Sequence, residues 1–74
     1  MNPKSIDITA TGRKIKELRK ERKLTVLEVT SELGLSAPQT IYKWERGDSL
    51  PSIDNIIMLS ELFRVSPCDI IQLR

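Results

Sequence analysis

The sequence predicts an all-α fold in which five short helices form one domain. Apolar residues recur at spacings of three and four along successive segments, which is the pattern of helices with one buried face. Residues that cap helix starts precede four of these segments, at Asp7, Thr25, Ser52 and Ser66. A chain of 74 residues, of which 39% are hydrophobic, is long enough to form one small hydrophobic core. It leaves no room for a separate ligand-binding or catalytic domain.

Helix 1 is predicted to begin near Asp7, whose carboxylate can accept hydrogen bonds from the first turn. Residues 1–6 show no periodicity and are interpreted as a flexible tail, which places the folded domain at residues 7–74. A nucleic-acid-contacting arm is the alternative, although Lys4 is its only charge. The predicted inward stripe of helix 1 consists of Ile8, Thr11, Ile15 and Leu18.

The rest of helix 1 is rich in basic residues, namely Arg13, Lys14, Lys16, Arg19, Lys20, Arg22 and Lys23. Residues 1–46 hold ten Lys and Arg against six Asp and Glu, a net charge of +4. Residues 47–74 hold two against four, a net charge of −2. The basic excess therefore lies with the first three helices. Two interpretations stay open: a solvated helix face, or charges that approach a phosphate backbone.

Helix 2 is predicted to follow Thr25, because Thr25 and Glu28 form the T-x-x-E pattern of a capping box. Its predicted buried residues are Val29 and Leu33. Gly34 supplies the left-handed residue that ends the helix. The first-turn residues, of which at least one is expected to face solvent, are Val26 and Leu27. The exposed side chain is either an isolated apolar residue without a function or part of a small patch that contacts thymine methyls or a partner chain.

Helix 3 is predicted to follow the turn Leu35-Ser36-Ala37, with Pro38 as its first residue. The predicted buried residues are Ile41 and Trp44. The residues expected to face elsewhere are Gln39, Thr40, Tyr42 and Lys43. Gly47 is expected to stop the helix.

Helix 4 is predicted to start after Ser52 and to run to about Phe63. Its inward residues are expected to be Ile56, Leu59, Leu62 and Phe63. Helix 5 is short, with Ser66 as its cap and Pro67 at its first position. The residues available to close the core are Ile70 and Ile71. An exposed Leu73 would make this apolar end either a lid on the core or a dimer surface.

The composition argues against an enzyme. There is no histidine, and Cys68 is the single cysteine, so no zinc site, nucleophile pair or intrachain disulfide is expected. Cys68 is interpreted as a small filler in the first turn of helix 5 rather than a redox switch. With no secretory signal or long apolar run, a cytoplasmic protein without membrane partner, cofactor or small-molecule ligand is expected.

The stretch from Leu24 to Gly47 predicts two short helices joined by a tight turn, the second with polar side chains outward. This arrangement is typical of proteins that hold a helix in the major groove of double-stranded DNA. The Gln39 amide matches the donor and acceptor of an adenine edge, and Lys43 can donate to guanine O6 and N7. Tyr42 offers a hydroxyl to a phosphate or a ring to a thymine methyl.

Four segments resemble one known family: L-T-x-x-E-V-x-x-x-L-G-L-S at 24–36, I-x-x-W-E-R-G at 41–47, L-P-S at 50–52 and V-S-P at 65–67. The chain is similar to the lambda-repressor-like (Xre/Cro-type) helix-turn-helix DNA-binding family. The resemblance implies a compact five-helix lambda-repressor-like domain with the helix-turn-helix at helices 2–3. It also implies a homodimer on a double-stranded DNA operator, often a repressor of transcription in bacteria or phages.

The resemblance assigns DNA contacts to particular side chains. Base contacts fall to Pro38, Gln39, Tyr42 and Lys43. Phosphate contacts fall to Thr25, Ser36, Thr40 and Arg46. The chain departs from the family pattern in having Val26 where Gln is usual and Thr30 where a small Ala is usual. The turn before helix 3 is one residue longer than usual, which leaves open whether Ser36 or Ala37 caps that helix.

Other functions are compatible with the same sequence. A protein-interaction module on the same fold, such as an antitoxin or anti-repressor, is favoured by the low net charge of +2, by the apolar pair Val26-Leu27 and by the apolar C-terminus. The chain is also compatible with the DNA-binding piece of a multi-subunit complex. Salt dependence of DNA affinity separates a DNA-binding protein from an interaction module.

Overall fold

A computed structural model describes residues 5–74, and five α-helices occur within that range. They are α1 (Ile8–Glu21), α2 (Val26–Glu32), α3 (Gln39–Arg46), α4 (Ile53–Phe63) and α5 (Pro67–Ile70). The predicted all-α fold and the order of its helices are therefore confirmed. None of the helices formed by residues 5–74 combines the length and apolar character needed to cross a bilayer.

The helix starts follow the capping chemistry in the sequence. Asp7 accepts a hydrogen bond from Ala10 N at 3.0 Å at the start of α1, and Ser52 caps α4 through Asn55 N. The start of α3 differs from the prediction by one residue. Gln39 is its first residue and Pro38 is the N-cap, so neither Ser36 nor Ala37 caps it.

One apolar core lies between the helices, and it contains most of the residues that the sequence predicted to face inward; Ile8 differs, because it is only partly buried and lies outside the core. The buried members of the core are Ile15, Leu18, Val26, Val29, Leu33, Ile41, Trp44, Ile56, Leu59, Phe63 and Ile70. Leu62 and Ile71 pack against this core and are partly buried. Cys68, predicted to fill space in α5, is exposed instead, because Ile70 is the residue of that single turn that enters the core.

Gly12 marks the closest approach of α1 to α3. A Cβ on Gly12 would overlap the carbonyl oxygen of Trp44 and lie 3.1 Å from that of Glu45. The missing side chain lets the two helices pack backbone against backbone. The end of α3 is also held close, because Gly47 turns there with φ at 81° and lies against Thr9.

The two ends of the described chain pair with each other. Ile6 and Leu73 form an antiparallel bridge, and Asp7 N donates to Gln72 O at 2.8 Å. Arg74 N donates to Ser5 O at 3.0 Å, so Ser5 and Ile6, which the sequence assigned to a loose tail, lie paired with the C-terminal residues. The rest of that predicted tail, residues 1–4, lies outside the described residues.

Candidate nucleic-acid interface

The outward side of α3 carries four polar side chains. Gln39, Lys43 and Arg46 are exposed, and Tyr42 is 48% exposed. At 100° per residue these four share one side of the helix, whereas Ile41 and Trp44 face the core on the other. We call this surface of Gln39, Tyr42, Lys43 and Arg46 the α3 outer face. It brings three of the four predicted base-contacting residues together.

The other predicted contact residues lie around the start of α3 and the start of α2. Pro38 and Thr40 are half-buried, whereas Ser36 is exposed in the turn and Thr25 is exposed at the α2 N-cap. Pro38 makes no side-chain cap for α3, so the first-turn amides of this helix have no side-chain acceptor. This end of α3 suits the approach of an anion better than a capped helix start does.

A buried ion pair fixes how α3 sits on α1. Arg19 Nε donates to Glu45 Oε2 at 2.7 Å, and Arg19 Nη2 donates to Glu45 Oε1 at 3.2 Å. Arg19 Nη1 also donates to the carbonyl of Leu24 at 3.0 Å. The hydrogen bond that Arg19 donates to Glu45, and the negative charge of Glu45, raise the pKa of Arg19 against the opposing effect of burial. One guanidinium therefore joins α1, α3 and the residue preceding the α2 cap.

The sequence analysis missed this pair and placed Arg19 on the free basic face of α1. Arg22, placed there too, donates instead from Nε to the carbonyl of Phe63 at 2.8 Å. A signal for the pair was present. Glu45 stands four residues after Ile41, on the inward side of a short helix, and an inward carboxylate needs a cation.

The side chains of Thr25 and Glu28 cap the start of α2. Glu28 N donates to Thr25 Oγ1 at 3.0 Å, and Thr25 N donates to Glu28 Oε1 at 2.8 Å, as the predicted capping box requires. The Thr25 backbone and side-chain hydrogen bonds lower the pKa of Glu28. The Glu28 carboxylate thus occupies part of this helix terminus, and the Thr25 hydroxyl, which is hydrogen-bonded to Glu28, must leave that carboxylate before it can donate to a phosphate.

The turn between α2 and α3 is held by the backbone and by one buried hydroxyl. Gly34 adopts φ of 67°, which a residue without Cβ reaches freely. Leu35 N donates to the carbonyl of Thr30 at 3.0 Å. The buried Thr30 hydroxyl donates to Val26 O at 2.8 Å, so a polar group at the crossing of the two helices is satisfied. Val26 is buried and Leu27 is 67% exposed, which confirms that one of the two faces solvent.

Arg46 ends the α3 outer face in an ion pair with Asp48. Their Nε and Oδ2 atoms are 2.9 Å apart, and both side chains are more than half exposed. Exposed ion pairs contribute about 0–1 kcal/mol, so a phosphate can replace Asp48 as the partner of Arg46. The acidic neighbour weakens the attraction of this end of α3 for a DNA backbone.

A polar helix held outward by a preceding helix and a glycine turn defines a helix-turn-helix domain. The chain belongs to the helix-turn-helix family, whose sequence model matches residues 15–70. It is 32% identical over 66 residues to a Pyrococcus horikoshii protein named as a helix-turn-helix-type transcriptional regulatory protein. That match covers 85% of this chain and 21% of the relative, so the chain spans about a fifth of the length of this relative.

Three solved structures share the fold. The restriction-modification controller protein C.AhdI from Aeromonas hydrophila is 25% identical with a TM-score of 0.78, covering 86% of this chain and 96% of that one. The P22 c2 repressor, solved with a synthetic operator, is 28% identical with a TM-score of 0.71, covering 77% and 85%. SinR, a master regulator for biofilm formation solved with DNA, is 29% identical with a TM-score of 0.70, covering 78% and 92%.

Proposed function

We propose that this protein is a small cytoplasmic transcriptional regulator that binds double-stranded DNA in a sequence-specific manner, most simply as a repressor. The single observation that carries the proposal is the exposure of the α3 outer face on a rigidly braced helix. Two of the structural neighbours, the P22 c2 repressor and SinR, were solved with DNA, which supports the same use of this fold.

In this proposal α3 enters the major groove and its outer face reads base edges. Gln39 pairs with an adenine edge, and Lys43, one turn later, donates to guanine. Tyr42, which is 48% exposed on the same face, contacts a thymine methyl through its ring. Pro38 is half-buried at the N-cap, so its contact with a base is an apolar one made by the ring edge.

Phosphate contacts surround this helix and fix its register on the duplex. Thr25 and Ser36 are exposed hydroxyls at the start of α2 and in the turn, and Thr40 is half-buried on the flank of α3. Arg46 supplies a guanidinium once it leaves Asp48. Contacts of this kind make the affinity for DNA fall as salt rises, because each neutralised phosphate releases counterions.

A protein-interaction module is the second candidate function. The observation that favours it is Leu27, which is 67% exposed beside the predicted phosphate-contacting Thr25. An apolar side chain there contributes nothing to phosphate binding and suits a protein partner better. The two candidates differ in their dependence on salt.

The deciding experiment selects bound duplexes from a random pool with the full chain and then measures affinity for the selected duplex between 50 mM and 200 mM salt. A regulator with about four to six phosphate contacts loses about 100-fold or more in affinity over this interval. The matched control is the variant Gln39→Ala/Lys43→Ala, whose exposed substitutions leave the fold intact and abolish the sequence preference. Failure to enrich any duplex at 50 mM salt would sink the DNA-binding proposal and favour the interaction module.

A further inference from the structure

A groove between α2 and α4 forms a second exposed surface of the molecule. It consists of two adjoining depressions of about 300 Å³ and 220 Å³, which share Glu32 and Leu62. We call this surface the α2–α4 groove. It is lined by apolar Leu24, Met58 and Leu62 and by the carboxylate-bearing Glu28, Glu32 and Glu61. Because Met58 is 38% exposed and Leu24 and Leu62 are only partly buried, the groove offers apolar surface to a partner.

The α2–α4 groove is separate from the surfaces that serve the proposed function. No residue of α3 lines it. Leu27, the exposed apolar residue that favours the second candidate function, lies about 100° or more around α2 from Glu28 and Glu32. Contacts in the groove can therefore be separated experimentally from contacts at the α3 outer face and at Leu27.

The two helices that form the groove carry negative charge alone. Together α2 and α4 hold four acids, Glu28, Glu32, Asp54 and Glu61, and no Lys or Arg. The whole chain has a net charge of +2, so the residues outside these two helices carry +6 against −4 within them. The groove therefore repels phosphate and attracts cationic groups.

The carboxylates at the groove are not neutralised by the described part of the chain. Both ion pairs found among residues 5–74 join other residues, so Glu32 and Glu61 are exposed there without a basic partner. Glu28 differs, because its carboxylate accepts a hydrogen bond from Thr25 N at 2.8 Å. Within the same range no group of three or more acids lies close enough together to hold a metal ion. The charges thus suit an extended occupant with several separated cations rather than a single ion.

The spacing of the groove residues on α4 matches the repeat of a second helix. Asp54 and Glu61 are seven residues apart, so they share one side of α4 at a separation of about 10 Å along its axis. Met58 lies between them on that side. A helix laid along α4 presents side chains on one face at the same interval. It can therefore place an apolar residue against Met58 and a Lys or Arg near each of the two acids.

We propose that the α2–α4 groove binds a basic amphipathic helix of a partner protein. Apolar side chains of that helix contact Leu24, Met58 and Leu62, and its Lys or Arg side chains pair with Glu32 and Glu61. The groove is small compared with the interfaces of stable complexes, so this partner binds weakly and reversibly. The proposal goes beyond the regulation of transcription through α3 and does not rest on DNA binding.

The experiment uses the full chain and a synthetic peptide as the probe. The peptide has about 14 residues, or roughly four helical turns, with Leu along one face and Lys on the others. Two comparison peptides carry Glu in place of every Lys, or Ser in place of every Leu. The chain is labelled with carbon-13 in its methionine methyl groups, which gives two NMR signals, one from Met58 and one from Met1. The Met1 signal is the internal comparison.

The basic peptide should shift the Met58 signal in a saturable manner, because its leucines cover that side chain. The Met1 signal should stay unchanged. The acidic comparison peptide is repelled and the Ser-containing peptide has no apolar face, so neither should shift the Met58 signal at the same concentration. Raising the salt from about 50 mM to about 500 mM should weaken binding of the basic peptide, because exposed charge pairs are screened.

Matched charge variants test the role of the groove carboxylates, with fluorescence anisotropy of a labelled basic peptide as the measurement. The groove variant Glu32→Gln/Glu61→Gln should weaken binding about 5- to 30-fold, because two exposed charge pairs are lost. The α1 control variant is Glu17→Gln/Glu21→Gln, which changes the net charge equally at exposed positions. This control should bind the peptide within about twofold of the wild type, because its charges lie on another helix.

Matched apolar variants test the floor of the groove in the same assay. Met58→Gln should weaken binding of the basic peptide about 5- to 10-fold, because an apolar contact is lost. Leu27→Gln, which changes an exposed apolar residue on another side of α2, should bind as the wild type does. Circular dichroism melts of each variant report that the fold is unchanged.

Four results would overturn the proposal. The Met58 signal could stay unchanged when the basic peptide is added. The α1 control variant could lose as much affinity as the groove variant, which would indicate attraction by net charge alone. Leu27→Gln could lose affinity while Met58→Gln does not, which would place the partner at Leu27. The Met58 signal could shift with protein concentration in the absence of peptide, which would make a second copy of this chain the occupant. The assay contains no duplex, so a chain that selects no DNA overturns the proposed function and leaves this proposal standing.

Discussion

Arg19 in α1 and Glu45 in α3 form a two-point ion pair on the inner side of α3, with nitrogen–oxygen distances of 2.7 Å and 3.2 Å. Both side chains are largely buried, with 11% of Arg19 and 5% of Glu45 exposed. The same guanidinium holds the carbonyl of Leu24, next to the cap of α2. The pair thus sets the position of α3 relative to both helices that support it.

Removal of the Glu45 carboxylate should destabilise the fold strongly. In Glu45→Ala the Arg19 guanidinium keeps its charge in a largely buried position without its partner, and we expect a loss of about 2–4 kcal/mol. Arg19→Lys keeps the charge but loses the two-point geometry and the hydrogen bond to Leu24, so we expect a smaller loss of about 1–2 kcal/mol. Urea denaturation measures both values.

The exposed pair of Arg46 and Asp48 provides the control for this prediction. Because both of its side chains are more than half exposed, Arg46→Ala should change the free energy of unfolding by less than about 1 kcal/mol. Equal losses for Glu45→Ala and Arg46→Ala would show that burial does not strengthen the inner pair, contrary to our account.

Gly12→Ala should destabilise the protein although alanine is the better helix former. In an open helix this substitution would stabilise by about 1 kcal/mol. Here the new methyl group would overlap the carbonyl of Trp44, so α1 and α3 must separate, and we expect a net loss of about 1–3 kcal/mol. Thermal melts measure this loss, and Gly34→Ala serves as the comparison. No atom lies within 4 Å of a Cβ at Gly34, so the destabilisation caused by Gly34→Ala arises from the φ of 67° alone and not from a steric overlap. A rise in Tm for Gly12→Ala would contradict the close approach of the two helices.

Gln39 and Lys43 should specify different bases in the selected duplex. If each reads one base edge, Gln39→Ala and Lys43→Ala each cost about 1–3 kcal/mol at one position and relax the preference there. Competition assays with single-base variants of the duplex locate the affected positions, which should be neighbours because the two residues are one turn apart. Thr25→Ala, a predicted phosphate contact, should instead weaken binding to all sequences alike. Unchanged preferences in both α3 variants would remove the base-reading assignment.

The α2 capping box should make stability depend on pH in the acid range. The hydrogen bonds from Thr25 lower the pKa of Glu28 in the folded state below its value in the unfolded chain. The resulting stabilisation is present above the unfolded-state pKa of this carboxyl and is lost as pH falls through the folded-state pKa. The Tm of the wild type should therefore be higher than the Tm of the Glu28→Gln variant near pH 7. This difference in Tm should shrink as the pH falls below about 4. A difference that stays constant from neutral to acid pH would contradict this role of Glu28.

Local patterns along the chain were sufficient to predict the helices and the surface that α3 presents. Caps such as Thr25 act within three residues, and the inward position of Ile41 and Trp44 follows from helical periodicity, so both were readable from neighbours along the chain. The same periodicity placed Gln39 and Lys43 outward, as the structure does. Their assignment to particular bases stays a prediction, because it depends on how α3 lies in a groove.

The contacts between residues of different helices could be identified from the folded arrangement alone. Arg19 and Glu45 are 26 residues apart, and Gly12 meets Trp44 because of the angle and distance at which α1 crosses α3. The start of α3 at Gln39 and the pairing of Ile6 with Leu73 likewise depend on the positions that the helix ends take once the helices are packed. Local hydrogen bonds and periodicity act over one helical turn, whereas these contacts depend on the packing of the whole core, which no short stretch of sequence contains.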